Sequence, residues 1–398
     1  MSKANGEPGE PSAEAREQAA KLAGTAVECL PEGRLARQLD QGRPLRVKLG
    51  IDPTAPDIHL GHTVVLNKLR EFQEAGHRIV LIIGDYTARV GDPSGRSAQR
   101  PMLDPAEIDA NAETFMEQAF KVLDRDRTEV RYNSEWLRMG SDELFALMAR
   151  STVARLLERD DFQKRMAAGE PVSTLELMYP LLQGFDSVAI DADVEVGGTD
   201  QKFNLLMGRD LQASFDKPLQ SVMTMPILPG IDGVKKMSKS TGNYIGVTEP
   251  PEEMFGKIMR VPDANLREYW QLLLSEEPPD VPANESKREL GRRLVDRFHG
   301  PDAPSVAEEH FNRLFVRHEV PEQIDGFSFG DDPVHLPALV AEAFGVSRSE
   351  ARRAIAQGGI KLDGEGLPAE PLDYPAAKLD GRVLQLGKRR FRRLVNTS

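Results

Sequence analysis

The sequence predicts an α/β protein. It should contain a doubly wound parallel sheet with a helical insertion, then an α-helical domain and a small α+β domain. Three observations carry this expectation. LRVKLGID alternates apolar and polar residues over about 45–52, as a half-buried strand does. TVVLNKLREFQEAG puts Val65, Leu69 and Phe72 on one helical face and stops at Gly76. HRIVLIIGDY is a continuous apolar run, as in a parallel strand covered on both faces. Strand, helix and strand in close succession make a βαβ unit. In a sheet of such units, ligands bind outside the carboxyl ends of the strands. DIHLGH and GDYTARVGDPSG fall there.

The remaining elements follow in order. Residues 1–44 read as a polar lead into a helix, and MSKANGEPGEPSAEAREQ has no apolar core of the signal-peptide kind. Residues 45–228 form the sheet domain. Within it, about 105–178 is mostly helical, interrupted by the strand-like TEVRYN. ADVEVGGTDQKFNLLMGRDL reads as strand, glycine turn and helix, and SVMTMPIL as a further strand. Residues 229–320 begin with the loop PGIDGVKKMSKSTGNY and continue as helices broken at PP and PD. PEQIDGFSFGDDPVHL, 321–336, has no clear period and reads as a linker. A compact tail, 337–398, ends the chain.

Composition narrows the function. The 398 residues are 29% charged and 40% hydrophobic, with no apolar run long enough to span a membrane. The one cysteine, Cys29, excludes an intrachain disulfide and a cysteine-built metal site, which suits a cytoplasmic protein. A net charge of -12 argues against bulk affinity for nucleic acid, but the charge is uneven. Pro337 to Ser398 carries 11 Lys+Arg against 7 Asp+Glu, so the tail is at +4 and the rest of the chain at -16.

Five short stretches carry chemistry. HLGH, His59 to His62, is poor zinc-site material: its histidines are three apart at a loop–helix junction with no obvious third ligand. A helix N-terminus there would offer free N–H groups to an anion, the imidazoles would add donors, and Gly61 would let a flat base lie against the backbone. Two ordinary histidines at a helix start is the competing reading. KKMSKS, Lys235 to Ser240, taken alone reads as a solvated basic loop; the competing reading is that Lys236 and Lys239 suit phosphoryl oxygens that gain charge in a transition state. Glycines at 230, 233 and 242 make this loop mobile. GDPSGR offers Asp92 to a cation near Arg96, or is simply a turn. In YPLLQGFDS, Tyr179, Gln183 and Asp186 share one helical face, toward either a polar pocket or water. GGTDQ is a strand-to-helix turn in which Asp200 and Gln201 are caps or grip ribose hydroxyls and a carboxylate.

In this order and spacing, the stretches resemble the class I aminoacyl-tRNA synthetases. HLGH is similar to that class's HIGH signature, and Lys236 to Ser240 matches KMSKS letter for letter. Within the class, Tyr179-x-x-x-Gln183-x-x-Asp186, Gly84 to Arg96 and GGTDQ resemble the tyrosyl-tRNA synthetases over nearly the whole chain. The tail stretch SRSEARRAIAQGGIKLDG resembles the small RNA-binding domain of bacterial members. The alternative is a tryptophanyl-tRNA synthetase, which shares the fold and both signatures but generally lacks the basic tail.

The resemblance implies a Rossmann-like sheet and a role for each residue. His59 would help hold the triphosphate in the transition state, His62 would sit by the nucleotide, and Lys236 and Lys239 would hold the departing pyrophosphate. Gly61, Asp200 and Arg96 complete the ATP set, with Arg100 also within reach of the phosphates. Asp92, Tyr179 and Gln183 would meet the tyrosine ammonium, Asp186 the phenol, and Asp52 and Gln201 the rest of the substrate, with Thr54 nearby. Arg348, Arg352, Arg353, Lys388, Arg389 and Arg390 would face tRNA(Tyr). ATP would arrive with Mg²⁺, no tightly held metal is implied, and the chain would be a homodimer. One residue departs from the pattern. Many family members have a tyrosine two positions before Gly50, where this chain has Lys48, which either reaches the phenol or turns away.

Overall fold

The computed structural model describes residues 10–54, 56–94, 104–317, 324–330, 332–387 and 390–397. They form two compact units, 1–301 and 302–398.

The first unit is built on a six-stranded sheet: β1 (Glu28–Leu30), β2 (Arg46–Ile51), β3 (Arg78–Ile83), β4 (Thr128–Tyr132), β5 (Val194–Gly198) and β6 (Ser221–Met225). The spatial order is β1-β6-β5-β2-β3-β4, parallel throughout except for β1 against β6. The chain winds outward from β2 in one direction and from β5 in the other, so the order reverses between β2 and β5 and leaves a crevice there. β3 is buried from Ile79 to Ile83, as its apolar run requires.

Several sequence expectations change. Residues 1–44 are more than a helical lead, because Cys29 and its neighbours add β1 to the sheet edge after the helix Ala13–Ala23. The helix that follows β2 runs Leu60–Glu74, so it starts inside HLGH rather than after it. Leu69 and Phe72 are buried on it, whereas Val65 is half-buried toward the crevice. TEVRY pairs with β3, so Pro105–Ala119 is a second crossover helix and the inserted helices start at Ser134. They end in the helix Thr174–Ala189, which leads into β5.

After β6 come the helices Pro251–Ile258, Leu266–Leu274 and Ala283–His299; Tyr269 and Trp270 of the second are buried, and Trp270 Nε1 donates to Ser286 Oγ of the third at 3.0 Å. Asn67 of the helix Leu60–Glu74 donates to the carbonyls of Leu272 and Leu273 and accepts from Arg297, tying that helix to this bundle.

In the second unit, the stretch read as a linker supplies structure. Gly326–Phe329 is a strand lying parallel to Arg390–Asn396 in a five-stranded sheet. Helices Leu336–Phe344 and Arg348–Ala356 share one apolar core with it, centred on Leu339, Val340, Ile355, Ile360, Leu384 and Leu394. The alternation in GFSF is too short to distinguish from a loop by pattern.

Candidate active site

The crevice has a volume of about 960 Å³ and draws its walls from every stretch singled out above in the first unit. His59, Gly61, His62, Asp52, Thr54, Asp92, Tyr179, Gln183, Asp186, Asp200, Gln201, Lys236 and Lys239 all line it.

His59 is the N-cap of the helix Leu60–Glu74 and His62 lies in its first turn. The backbone N–H of His59 donates to His62 Nδ1 at 3.2 Å, which puts the proton of a neutral His62 on Nε2. The two rings lie 3.9 Å apart. Burial, then His62, Lys236 and Lys239, push His59 down to about 2. Burial and the same two lysines push His62 down to about 4. At neutral pH both imidazoles are therefore uncharged, and they can offer hydrogen bonds but not positive charge. That charge comes from the lysines and the helix N-terminus. His59 Nδ1 is buried with no hydrogen-bond partner among the described residues. At Gly61 a Cβ would stand 3.0 Å from the His59 ring, so glycine lets that ring fold over the first turn.

The lysine loop docks beside this helix. Leu60 N donates to Ile245 O at 2.9 Å and Val247 N to Ile58 O at 3.0 Å, which links the two signatures directly. The loop is better anchored than its glycines imply. Met237 is buried, and Asn243 Oδ1 accepts from Ser238 N and Thr241 Oγ1 while its Nδ2 donates to Asp232. Lys236 pairs with Asp200 at 2.5 Å, and Lys239 with Asp57 at 2.9 Å.

Deeper in the crevice, Tyr179, Gln183 and Asp186 are buried on one face of the helix Thr174–Ala189. Tyr179 OH donates to Asp52 Oδ2 at 3.0 Å, and Thr87 Oγ1 donates to Asp52 Oδ1 at 2.7 Å. Gly84 is required here, since a Cβ would lie 2.1 Å from Asp52 Oδ1 and 2.4 Å from Thr87 Oγ1. Gln183 Oε1 is buried without a partner among the described residues. Trp136 Nε1 donates to Asp186 Oδ1 at 2.8 Å, with Asn133 Nδ2 at 3.5 Å from Oδ2. Burial pushes Asp186 up to about 7, while Lys48, Trp136 and Asn133 hold it from going higher. Gln201 Nε2 donates to Asp92 Oδ2 at 2.7 Å.

Lys48 turns away from this pocket. Its Nζ is fully buried and donates to Glu195 Oε1 at 2.8 Å, Ser187 Oγ at 2.9 Å and the Gln183 carbonyl at 3.0 Å. Sequence reasoning missed Trp136, Asn133, Thr87 and Asp57. Asn133 follows β4 at the ligand-binding end of the sheet, a position that could have flagged it. Arg96 and Arg100 lie outside the described residues, as do Lys388 and Arg389. In the second unit, Arg348, Arg352 and Arg353 are exposed on their helix. Arg390 donates to the Phe344 carbonyl and stands 5.2 Å over the Phe344 ring.

Among the described residues no group of three or more His, Cys, Asp or Glu side chains is arranged to hold a metal ion, and no helix is long and apolar enough to cross a membrane.

Comparison with known proteins gives a single answer. Residues 40–316 match the family model described as tRNA synthetases class I (W and Y). The chain is 50% identical over 386 residues to the tyrosine–tRNA ligase of Moorella thermoacetica, covering 92% of this chain and 93% of that protein. It is 48% identical over 390 residues to that of Geobacter sulfurreducens, covering 93% and 96%. The fold matches a C-terminally truncated mitochondrial tyrosyl-tRNA synthetase of Aspergillus nidulans with a TM-score of 0.59, at 21% identity, over 76% of this chain and 94% of that one. The chain belongs to the class I tRNA synthetases, and within them to the tyrosine–tRNA ligases.

Proposed function

We propose that the crevice joins L-tyrosine to ATP and then passes the tyrosyl group to the 3′ end of tRNA(Tyr). The observation that carries this is the meeting, in one crevice, of a phosphate-facing set (His59, His62, Lys236, Lys239) and a buried polar stripe ending in Asp186. The substrate carboxylate attacks the α-phosphate, the α–β bridge breaks, and pyrophosphate leaves with its charge held by the lysines. Neutral imidazole N–H groups and the helix N-terminus hold the triphosphate. ATP enters as its Mg²⁺ complex. Asp200, freed from Lys236, takes the ribose. Asp92, Tyr179 and Gln183 surround the ammonium, and the free Gln183 Oε1 is one acceptor for it. Asp52 fixes Tyr179, and Gln201 fixes Asp92. No covalent bond to the protein is needed, so catalysis is placement plus charge stabilisation.

Asp186 favours tyrosine over tryptophan or phenylalanine, since a buried carboxylate left without the phenol donor is costly. With its pKa raised to about 7, it is a carboxylate above that pH and protonated below. The charged and hydrogen-bonding groups acting on it are Lys48, Glu195, Trp136 and Asn133. ATP–pyrophosphate exchange should therefore respond to tyrosine and not to tryptophan, with the KM for tyrosine rising as pH falls through 7. Asp186→Asn should abolish that pH step and erode the tyrosine preference over phenylalanine by about tenfold or more. Exchange driven by tryptophan, or an undiminished preference in the variant, would overturn the reading.

We also propose a homodimer. Five of the eleven exposed large apolar side chains among the described residues, Phe145, Met148, Val153, Met166 and Leu175, fall in the inserted helices. Leu147, on the same helix as Phe145, faces its own core instead. Light scattering should report about 88 kDa, twice the 44.1 kDa chain, and Phe145→Glu should shift it toward monomer. A wild-type monomer at micromolar concentration would refute the assembly. Work on tRNA, together with the single unpaired Cys29, supports a cytoplasmic location.

A further inference from the structure

The carboxylate of Asp92 is aimed by a run of hydrogen bonds that begins outside the crevice. Arg159 precedes the inserted helix Asp160–Ala167 and is 4% exposed. Its Nη1 donates to Asn204 Oδ1 at 2.6 Å, and Asn204 Nδ2 donates to Gln201 Oε1 at 3.0 Å. Gln201 Nε2 then donates to Asp92 Oδ2 at 2.7 Å. Arg159 also reaches the other end of the run: its Nη2 donates to Ser94 Oγ at 3.1 Å, and Ser94 N donates to Asp92 Oδ1 at 2.9 Å. Asp161 takes Nε at 3.0 Å and Nη2 at 2.8 Å, so the guanidinium is neutralised and fixed.

Each amide in this run has one orientation. A guanidinium holds only donors, so Asn204 must turn its oxygen toward Arg159 and its NH₂ toward Gln201. Gln201 must then turn its oxygen toward Asn204 and its NH₂ toward Asp92. We infer that Arg159 and Asn204 are positioning residues for the substrate ammonium: Arg159 sets the direction of the Asn204–Gln201 amides, and these hold Asp92 toward the crevice. Neither residue is part of the crevice wall. The inference rests on the proposal that Asp92 faces the ammonium.

Asn204→Asp separates positioning from mere packing. The new carboxylate is nearly isosteric and faces Arg159, so the fold should hold. It has no NH₂ for Gln201, so Gln201 reverses and presents its oxygen to Asp92, where two acceptors repel. The test uses the full-length enzyme and its Asn204→Asp, Arg159→Gln and Asp92→Asn variants. It measures the KM for tyrosine and ATP in pyrophosphate exchange, inhibition by tyramine and by 3-(4-hydroxyphenyl)propionate, and Tm. Asn204→Asp and Arg159→Gln should weaken tyrosine and tyramine about tenfold or more. The acid that lacks the ammonium should bind as before, the KM for ATP should hold, and Asn204→Asp should keep its Tm. The inference is overturned if Asp92→Asn loses ammonium recognition while Asn204→Asp does not, or if Asn204→Asp weakens all three ligands alike. If Asp92→Asn itself leaves ammonium recognition intact, the premise fails, and the inference with it.

Discussion

Lys239→Ala is expected to slow tyrosyl-adenylate formation roughly a hundredfold, a loss of about 3 kcal/mol, while tyrosine binding stays close to normal. The expectation that the loss falls on the rate rests on the resting ion pairs. Lys239 is paired with Asp57 and Lys236 with Asp200, so neither ammonium waits idle for phosphate. Partly exposed pairs of this kind are worth at most about 1 kcal/mol. On the proposed mechanism, a triphosphate gaining charge in the transition state displaces them, and the lysines exchange a carboxylate for phosphate as reaction proceeds. In the proposed reading tyrosine lies deeper, against Tyr179, Gln183 and Asp186, out of contact with this exchange. Stopped-flow activation with and without the substitution decides the matter. An unchanged rate with weakened tyrosine binding would refute the assignment.

The second large effect concerns the tail. Cutting the chain after Arg317 should leave tyrosine-dependent pyrophosphate exchange intact and sharply reduce the charging of tRNA. The family match ends at 316, and among the described residues none of the crevice lies beyond Thr241. The cut must fall here rather than near residue 332, because Gly326–Phe329 is a strand of the second unit's sheet, and a later cut would leave it without its partner. Residues 318–336 hold five Asp+Glu and no Lys or Arg, so the body left by this cut is at -11; it still repels a polyanion, and in the proposed reading the exposed Arg348, Arg352 and Arg353 supply attraction that it lacks. Part of the basic run near the C-terminus is already committed within the unit: Arg390 to the Phe344 carbonyl and Arg392 to Asp325. The salt dependence of tRNA binding should flatten by roughly one slope unit per lost phosphate contact. Undiminished charging by the truncated enzyme at physiological salt would show that the tail does not bind tRNA.

What could be read from sequence followed the strength of local signals. β2, β3 and the helix between them were legible because their hydrophobic periods differ sharply and glycines punctuate them. The stripe Tyr179, Gln183, Asp186 was legible because helical spacing alone puts the three on one face. β1 was not, since ECL is three residues long and joins the sheet only through β6, almost two hundred positions away. Trp136 and Arg159 were invisible for a related reason. Each acts through a partner 50 or 45 residues distant, and no local pattern marks a side chain whose task is to orient another. Lys48 broke the family pattern at one position, and only packing reveals that Glu195 and Ser187 absorb its charge.

The short strand β1 also protects the molecule from its own kind. Without it, β6 would end the sheet with a full row of unpaired backbone groups on a buried, apolar strand. Such a margin is a template for another chain's strand, and hence for aggregation. The antiparallel partner pairs with it and leaves only a three-residue edge, with the ion pair from Glu28 to Lys202 beside it. At the opposite margin, β4 has no covering strand among the described residues, but it carries Arg131 and Glu129, bonded to each other and to Arg46 and Glu135. An incoming strand would have to bury those charges. The two ends of the sheet thus discourage edge-to-edge pairing by different means, one by ending in a very short strand and one by carrying charge.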